Sequence, residues 1–414
     1  MNKQVITPEE EFKTLTKLFF LFGFGIMSWI PRFPDFKARL GLTNGQFGSI
    51  ISLGNVGAFV SLLTVGHIVH KLGSYKVLIA STCSLYIGFF LIANTSSSLI
   101  FMPIVILVGF SISAFHIAVN SQAFDSQSRI TKPIIVKLHG IWTIGAVSTG
   151  LVSGILIGRV SASVQLDIVY FLVFIFNLKY INKMRSVTLL PKVEDDHYSV
   201  KQVFKSLRFD RLIAGGMICA IYIEIAMGDW SNIFAREYLG IKGGLITLPY
   251  ILFMSAMIAG RLGISRIIDR MPINRAANIG AVTGGTFFLV GILVSIIFGE
   301  THQYWAFGIF SFGCLVAGLG TSFITPSFFN AASARSEFPS AVVIGQIGLI
   351  NNFLIFGGKW VIAWTAQFTS LAVALLIPAV MALSVPLFTK ALLSGNAKGQ
   401  AEEKQALTNS KSHC

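Results

Sequence analysis

Charged residues are scarce in this sequence. They make up 12% of its 414 residues, against about a quarter in soluble domains. Acidic side chains are the scarcer kind, with 18 Asp and Glu against 32 Lys and Arg. Hydrophobic residues account for 54% of the chain, and the mean hydropathy is +0.73. This composition excludes an ordinary soluble domain, and it also excludes disordered and collagen-like chains.

Cysteine is also rare. The four cysteines are scattered, three of them within apolar stretches, so they form neither a disulfide framework nor a set with metal-ligand spacing. The sequence has no Gly-x-x-x-x-Gly-Lys-Ser/Thr motif for binding nucleotide phosphates. No Ser-His-Asp set stands out on a soluble domain. We therefore expect no metal, no cofactor and no enzymatic activity.

The hydrophobic residues fall into long, continuous runs. A helix that crosses a bilayer needs ~20 mostly apolar residues, whereas the strands of a membrane barrel alternate over about ten. Twelve runs fit the helical case: 14–31, 45–69, 76–94, 99–124, 139–158, 164–182, 211–234, 244–265, 275–298, 304–329, 339–365 and 368–393. Glycines at short spacing, such as Gly54 with Gly57 and Gly150 with Gly154, predict close helix packing. The sequence predicts an all-α membrane protein whose main partner is the lipid bilayer.

The basic residues predict the orientation of the chain. With the N-terminus inside, 25 of the 32 Lys and Arg residues fall on the cytoplasmic side. Lys359 lies inside a span, and the outer loops hold only Arg32, Lys37, Arg39, Arg159, Arg236 and Lys242. This asymmetry predicts that both termini are cytoplasmic. The basic residues behind the net charge of +14 are then expected to interact with the anionic lipids of the inner leaflet. No nucleic acid is expected as a partner.

A gap between the sixth and seventh runs divides the chain into halves. We predict a cytoplasmic segment at 1–13, a six-helix bundle at 14–182, a cytoplasmic loop at 183–210, a second six-helix bundle at 211–393 and a cytoplasmic tail at 394–414. The halves repeat weakly, because the Ser28-Trp29 pair near the end of helix 1 is echoed by Asp229-Trp230 in helix 7. Such repeats are typical of transporters.

The turn between helices 2 and 3 resembles a signature of the major facilitator superfamily. The family usually has Gly-x-Leu-Ala-Asp-Arg-x-Gly-Arg-Arg there, and Gly66, Lys71 and Gly73 fit this pattern, while His70 replaces the acid. The resemblance implies a gating role for this turn and for the corresponding Asp269-Arg270 turn of the second half.

More detailed likeness is to the fucose-permease-like bacterial branch of that superfamily. The segments that carry it begin at Trp29, Asn120, His139, Glu224 and Gly260, and the resemblance covers about 14–393. It implies twelve transmembrane helices in two pseudo-symmetric six-helix bundles. A central cavity between the bundles would open to each side of the membrane in turn.

Four side chains near the middle of spans are candidates for the transport chemistry, because ionisable groups in a bilayer are costly and often functional. Glu224 lies near the midpoint of helix 7, where it suits proton transfer; the alternative is a carboxyl that only joins helices by hydrogen bonds. His116 lies one turn before Asn120, at a position where related transporters often carry a proton-linked acid. The alternative is a buried neutral histidine that is satisfied by a partner on helix 5. Asp229 and Lys359 are expected at similar depth, so they predict an ion pair that is either static or broken during transport.

Lys359 also influences the prediction of the substrate. It shares a helical face with Asn352, seven residues earlier, and a cation beside an amide suits a carboxylate. Gln346 is a further polar candidate on this helix, and Trp142 is expected to line the cavity and stack on a sugar ring.

The sequence therefore predicts a secondary active transporter, acting as a monomer in the bacterial inner membrane. We expect proton-coupled symport of a small organic solute, with an anionic or carboxylate-bearing metabolite favoured because of Lys359. The alternatives are a neutral sugar symporter, an exporter of organic compounds and, from another class, a non-transporting sensor on the same fold.

Overall fold

The structure is a computed structural model that describes residues 6–130, 134–188, 210–335 and 340–393. Within these ranges the regular elements are all helices, and no strand occurs. The predicted tail at 394–414 and most of the predicted loop at 183–210 lie outside the described residues.

The described residues of the first half form eight α-helices. A short 3-10 turn, Ile30–Arg32, follows the first of them. The helices are α1 (Pro8–Met27), α2 (Phe33–Arg39), α3 (Asn44–Ser52), α4 (Gly54–Leu72), α5 (Ser74–Asn94), α6 (Ser98–Ile130), α7 (Ile135–Leu156) and α8 (Ala162–Lys183).

The described residues of the second half form seven α-helices. The first of them continues into a π-helical turn, Phe234–Tyr238, which is followed by a 3-10 turn, Gly243–Thr247. The helices are α9 (Arg211–Ile233), α10 (Leu248–Ile268), α11 (Ile273–Phe298), α12 (Gln303–Thr321), α13 (Ile324–Arg335), α14 (Ser340–Phe368) and α15 (Leu371–Ser384).

Helix α1 begins earlier than the hydrophobic run that predicted it. The Thr7 hydroxyl accepts a hydrogen bond from the Glu10 backbone N–H, and the Glu10 side chain binds back to the Thr7 N–H. This reciprocal cap satisfies two N–H groups that a helix start leaves free. Pro8 suits the first helical position. The acidic residues of the first turn interact favourably with the positive end of the helix dipole. Local capping therefore sets the start of α1 ahead of residue 14.

Eleven helices in the described part of the chain are long and apolar enough to cross a membrane. The twelfth predicted span is shorter than expected, because its apolar helix covers only Leu371–Leu387. Its regular part ends at Ser384, just ahead of Pro386, which has no N–H to continue the helix. The predicted all-α, multi-pass architecture is confirmed.

The chain divides into two compact units. Among the described residues, the first unit holds those within 1–197, 228–251 and 359–371, and the second holds those within 198–227, 252–358 and 372–414. The first unit thus contains the first eight helices together with the last turns of α9 and α14 and the first turn of α10. As a result Asp229 and Lys359 belong to the first unit, whereas Glu224 belongs to the second.

Glycines allow close helix packing within each unit. In the first unit, a Cβ on Gly57 of α4 would lie 1.9 Å from the carbonyl oxygen of Ile106 in α6. In the second unit, a Cβ on Gly280 of α11 would lie 2.3 Å from the carbonyl oxygen of Gly320 in α12. Only glycine leaves room for backbones at this separation. The predicted packing role of Gly57 is confirmed.

Candidate functional site

Glu224 lies near the middle of α9, in the second unit, and faces a basic side chain. Its Oε2 atom is 3.9 Å from Nη2 of Arg261 on α10. Arg261 is held in place because its Nε donates to the backbone carbonyl of Ser322 at 3.0 Å. The side chains of Glu224 and Arg261 are 34% and 40% exposed. This contact is therefore longer and less buried than a tight ion pair. A role of Glu224 in proton transfer stays a prediction.

The predicted ion pair between Asp229 and Lys359 is present in the first unit. The Lys359 ammonium on α14 lies 2.9 Å from Oδ2 and 3.2 Å from Oδ1 of Asp229 on α9. The side chain of Asp229 is only 10% exposed, and that of Lys359 is 17% exposed. Each charge therefore balances the other where a lone charge would be costly. The opening of this pair during transport stays a prediction.

His116 and Asn120 form a polar cluster with a third residue of the first unit, His139 of α7. The Asn120 side-chain amide donates to the His116 carbonyl at 2.8 Å. This bond turns the Asn120 side-chain oxygen towards His139 Nε2, 3.2 Å away, so the ring nitrogen donates. The two imidazole rings lie 6.2 Å apart, and Phe22 lies beside His116. Both histidines are exposed on the surface of this unit, which makes the cluster accessible to a polar molecule.

Trp142 lies next to this cluster, one turn beyond His139 on α7. Its backbone carbonyl packs against α1, where a Cβ on Gly23 would come within 2.0 Å. The indole Nε1 is buried and has no hydrogen-bond acceptor among the described residues. A buried indole N–H usually has a partner, and this one has none among the described residues. A role of Trp142 in binding a solute stays a prediction.

The remaining predicted residues of α14 belong to the second unit. Gln346 is buried and Asn352 is half-buried. Lys359 lies on the same helix but in the first unit, where it pairs with Asp229. A joint role of Asn352 and Lys359 in binding an anion stays a prediction.

The predicted gating turn between α4 and α5 has a defined geometry. Gly73 separates the two helices with a φ of +80°, a left-handed conformation that favours glycine. Its N–H donates to the Val69 carbonyl at 2.8 Å. The hydroxyl of Ser74, at the start of α5, donates to the side-chain oxygen of Gln122 on α6 at 2.8 Å. This bond ties the turn to a neighbouring helix.

The other predicted gating residues are exposed or half-buried at the ends of α4 and α10. Their gating role stays a prediction, since position alone does not test it. They are Gly66, His70, Lys71, Asp269 and Arg270.

Sequence reasoning did not identify Arg261 as a partner of Glu224. It lies near the predicted end of its span, so it was grouped with the cytoplasmic basic residues. Placing an ionisable group within an apolar run costs free energy, and this applies to Arg261 as much as to Glu224. The position of Arg261 in such a run could therefore have identified it as a candidate.

A charged group at the start of α1 was also missed. The carboxylate of Glu11, only 2% exposed, lies 2.5 Å from Nη2 of Arg129 on α6. Asp125 binds the same guanidinium, and the hydroxyl of Ser126 donates to Glu11. These contacts fasten α1 to the end of α6.

Two further ion pairs join α2 to the turn that follows α9, all within the first unit. Asp35 lies 2.5 Å from an Nη atom of Arg236, and Lys37 pairs with Glu237. Sequence reasoning assigned the basic members only to outer loops. The repeat that aligns Trp29 with Trp230 also aligns Asp35 with Arg236. The opposite charges at these two equivalent positions are the sequence signal that could have indicated the ion pair.

The sequence profile of the Major Facilitator Superfamily matches residues 15–358. The chain belongs to this superfamily. It is therefore a multi-pass membrane protein of a family of transporters, as its helices and motifs predicted.

Individual members of the major facilitator superfamily resemble the chain over nearly its whole length. An uncharacterised transporter of this type from Yersinia pestis is 25% identical over 95% of this chain and 98% of its own. A mutant of the nucleoside transporter NupG has a TM-score of 0.74 at 13% identity, covering 93% of this chain and 100% of its own. A D-xylose–proton symporter has a TM-score of 0.67 at 13% identity, covering 92% and 96%. At these identities the two solved structures show a shared fold.

Proposed function

We propose that this protein is a secondary active transporter that moves a small polar organic solute by alternating access, driven by a proton gradient. Membership of the major facilitator superfamily supports solute transport. The observation that carries the proton-coupled part is the contact between Glu224 and Arg261, an acid and a base on adjacent apolar helices.

Protonation of Glu224 changes one contact between α9 and α10. The neutral carboxyl loses its charge attraction to Arg261, while Arg261 stays bound to the Ser322 carbonyl. A proton therefore weakens the link between the helices without releasing the guanidinium. His116 is a second ionisable side chain within a span, and we propose it in support of Glu224.

The polar cluster of the first unit is the proposed solute-binding surface. His116, Asn120 and His139 offer hydrogen-bonding groups, and Trp142 adds an aromatic ring and an N–H donor. Such a combination suits a polar ring that carries hydroxyl or carbonyl groups.

A neutral solute fits this surface better than the anionic metabolite that Lys359 first favoured. The charge of Lys359 is balanced by Asp229 at 2.9 Å, so it is not available to an anion unless that pair opens. The nucleoside and D-xylose named for the two solved transporters are solutes of the same polar, uncharged kind. We therefore propose a sugar or a sugar-bearing solute.

The distribution of Lys and Arg supports a bacterial inner membrane with both termini in the cytoplasm. The site residues of the polar cluster come from a single chain, so we propose that the monomer is the functional state.

The proposal is tested by uptake into proteoliposomes that contain the full chain. A panel of radiolabelled sugars, nucleosides and organic acids is offered with and without an inward proton gradient. We expect gradient-dependent accumulation of a neutral solute, and its loss in Glu224→Gln while exchange of solute at equal concentrations persists. Glu300→Gln is the matched control, because it makes the same chemical change at an exposed residue.

Other outcomes identify the alternatives. Accumulation of a carboxylate alone would restore the anionic substrate and point to opening of the Asp229–Lys359 pair. Uptake that survives in Glu224→Gln would remove Glu224 from proton coupling. A folded protein that moves no solute in either direction would contradict transport and favour a sensor, whereas outward movement only would make it an exporter.

A further inference from the structure

A cavity of about 480 Å³ opens at the end of the first unit that is predicted to face outside. It lies between α2 and the connection from α7 to α8, away from the polar cluster and the intramembrane pairs. Its charged lining consists of one carboxylate, Asp35, and four guanidinium groups, from Arg32, Arg39, Arg159 and Arg236. Such an excess of one charge around a cavity attracts ions of the opposite sign.

Arg32 and Arg39 each donate several hydrogen bonds to neutral partners. Arg32 is 2% exposed, and its Nε donates to the Gln165 side chain at 2.8 Å. Arg39 donates from Nη1 to the Ser163 hydroxyl at 3.0 Å and from Nη2 to the Ile92 carbonyl at 2.8 Å. Its Nε is buried and has no acceptor among the described residues. Neither set of bonds reduces the positive charge of the cavity.

Arg159 adds a charge with no ion-pair partner in the described part of the chain. Its Nη1 donates only to the Ile155 carbonyl, at 3.2 Å. Two other acids lie nearby but do not line the cavity. Glu237 pairs with Lys37, and Asp167 accepts a hydrogen bond from Asn94, although its charge also acts on Arg39.

Asp35 is the one internal anion of the cavity, and two arginines share it. One of its carboxylate oxygens accepts from Arg32 at 3.1 Å, and the other lies 2.5 Å from Arg236. Four guanidinium groups thus face a single carboxylate. Guanidinium groups bind phosphate and carboxylate oxygens with two parallel hydrogen bonds.

We propose that this cavity is a binding site for an oxyanion of the phosphate or carboxylate type, and that the bound anion competes with Asp35 for Arg236. Arg236 lies in the turn after α9, whereas Asp35 lies on α2. Binding therefore weakens one of the two ion pairs that join these elements and leaves the Lys37–Glu237 pair in place. This site is separate from the proposed solute site and does not depend on which solute is carried.

The oxyanion can come from a free solute or from the headgroup of a phospholipid, since the cavity is predicted to lie near the membrane surface. Both sources present the same chemistry to the arginines. Nanodiscs made from phosphatidylcholine or from phosphatidylglycerol separate the two cases, because phosphatidylglycerol offers an anionic headgroup with an accessible phosphate.

The test measures the binding of inorganic phosphate to the full chain, by ³¹P NMR line broadening at constant ionic strength with chloride as the reference salt. We expect Asp35→Asn to bind phosphate more tightly, because the internal competitor is gone. Arg159→Gln should bind it less tightly, by roughly two- to fivefold for one partly exposed ion pair. Lys242→Gln is the matched control, because it removes an exposed outer charge that does not line the cavity.

Opposite shifts in Asp35→Asn and Arg159→Gln would support the site, since a purely structural role of these residues predicts no gain in phosphate affinity. If the broadening occurs in both kinds of nanodisc, the ligand is a free anion; if it disappears in phosphatidylglycerol, the headgroup occupies the cavity. The proposal is overturned if Lys242→Gln weakens binding as much as Arg159→Gln, or if Asp35→Asn leaves the affinity unchanged in folded protein.

Discussion

The two acidic side chains of α9 each have a basic partner, and the pairs differ in the exposed fraction of their side chains. Asp229 and Lys359 are 10% and 17% exposed, whereas Glu224 and Arg261 are 34% and 40% exposed. A buried pair that loses one member leaves an uncompensated charge, but an exposed pair does not. We therefore expect the Asp229–Lys359 pair to contribute mainly to the stability of the protein. Glu224 is the residue that we propose gains and loses a proton.

Lys359→Gln is expected to destabilise the protein by about 3–5 kcal/mol, because it removes the partner of a carboxyl group that is only 10% exposed. Thermal unfolding in detergent measures the change. The double variant with Asp229→Asn should recover most of the loss, since it removes both charges. A loss in the double variant that equals the sum of the losses in Lys359→Gln and Asp229→Asn would show that the two charges do not interact.

Glu224→Gln provides the comparison at an exposed pair. We expect its unfolding temperature to stay close to that of the wild type, because a partly exposed ion pair contributes only about 0–1 kcal/mol. Its defect should appear in proton-driven uptake instead.

Asn120→Ala is expected to weaken solute binding more than it slows transport. Loss of the amide removes the contact that orients His139 and at least one hydrogen bond, which corresponds to roughly a two- to tenfold rise in KM. Initial uptake rates over a range of solute concentrations measure it. The control is Asn94→Ala, an exposed amide that binds Asp167 outside the cluster. An unchanged KM would exclude Asn120 from the solute site.

At the scale of helices, packing depends on where glycine meets a neighbour. Gly57 and Gly66 lie on the same helix, α4, but only Gly57 approaches another backbone. A Cβ at Gly66 would meet nothing within 4 Å. The same residue type therefore has different roles at two positions separated by less than three turns.

Gly57→Ala is expected to destabilise the protein by about 1–3 kcal/mol, because the new methyl group must push α4 away from α6. Gly66→Ala should be neutral or stabilising by up to about 1 kcal/mol, since alanine is the better helix former. Chemical or thermal unfolding of both variants in one detergent compares them. A similar loss in both would refute the packing explanation.

Helix existence was predictable from the sequence, but several helix ends were not. Long apolar runs identify spans because a bilayer demands them, whereas ends depend on local bonds such as the Thr7–Glu10 cap. The break of the second span at Leu53, between α3 and α4, has no strong signal in hydrophobicity. The partner of Glu224 was likewise missed, because it depends on which faces of α9 and α10 meet.

At the scale of the whole molecule, the predicted order of the spans decides which contacts could be predicted. The Asp229–Lys359 pair could be predicted because this order places the two residues at a similar depth in the membrane. The cluster of His116, Asn120 and His139 could be predicted only in part, since His139 joins it through the packing of α7 on α6.

We expect both termini to lie in the cytoplasm, because 25 of the 32 Lys and Arg residues then face inward. Fusions after residue 393 should give fluorescent green fluorescent protein and inactive alkaline phosphatase. A fusion at the connection between α7 and α8, near Gly158, should give the opposite pattern. Active phosphatase at the C-terminal fusion would reverse the predicted topology.

Arg39 bridges α2 to the end of α5 in a way that constrains evolution at this position. One guanidinium group donates to the Ile92 carbonyl, the Ala93 carbonyl and the Ser163 hydroxyl. Arg39 therefore caps the last turn of α5, although it lies more than 50 residues away in sequence. Lysine has one nitrogen and cannot reach three acceptors with a planar fork. In a deep mutational scan of expression, Arg39 should therefore reject lysine, whereas the equally basic Lys242 should accept arginine and most polar residues. A half-buried arginine would then be as intolerant of change as a residue of the core.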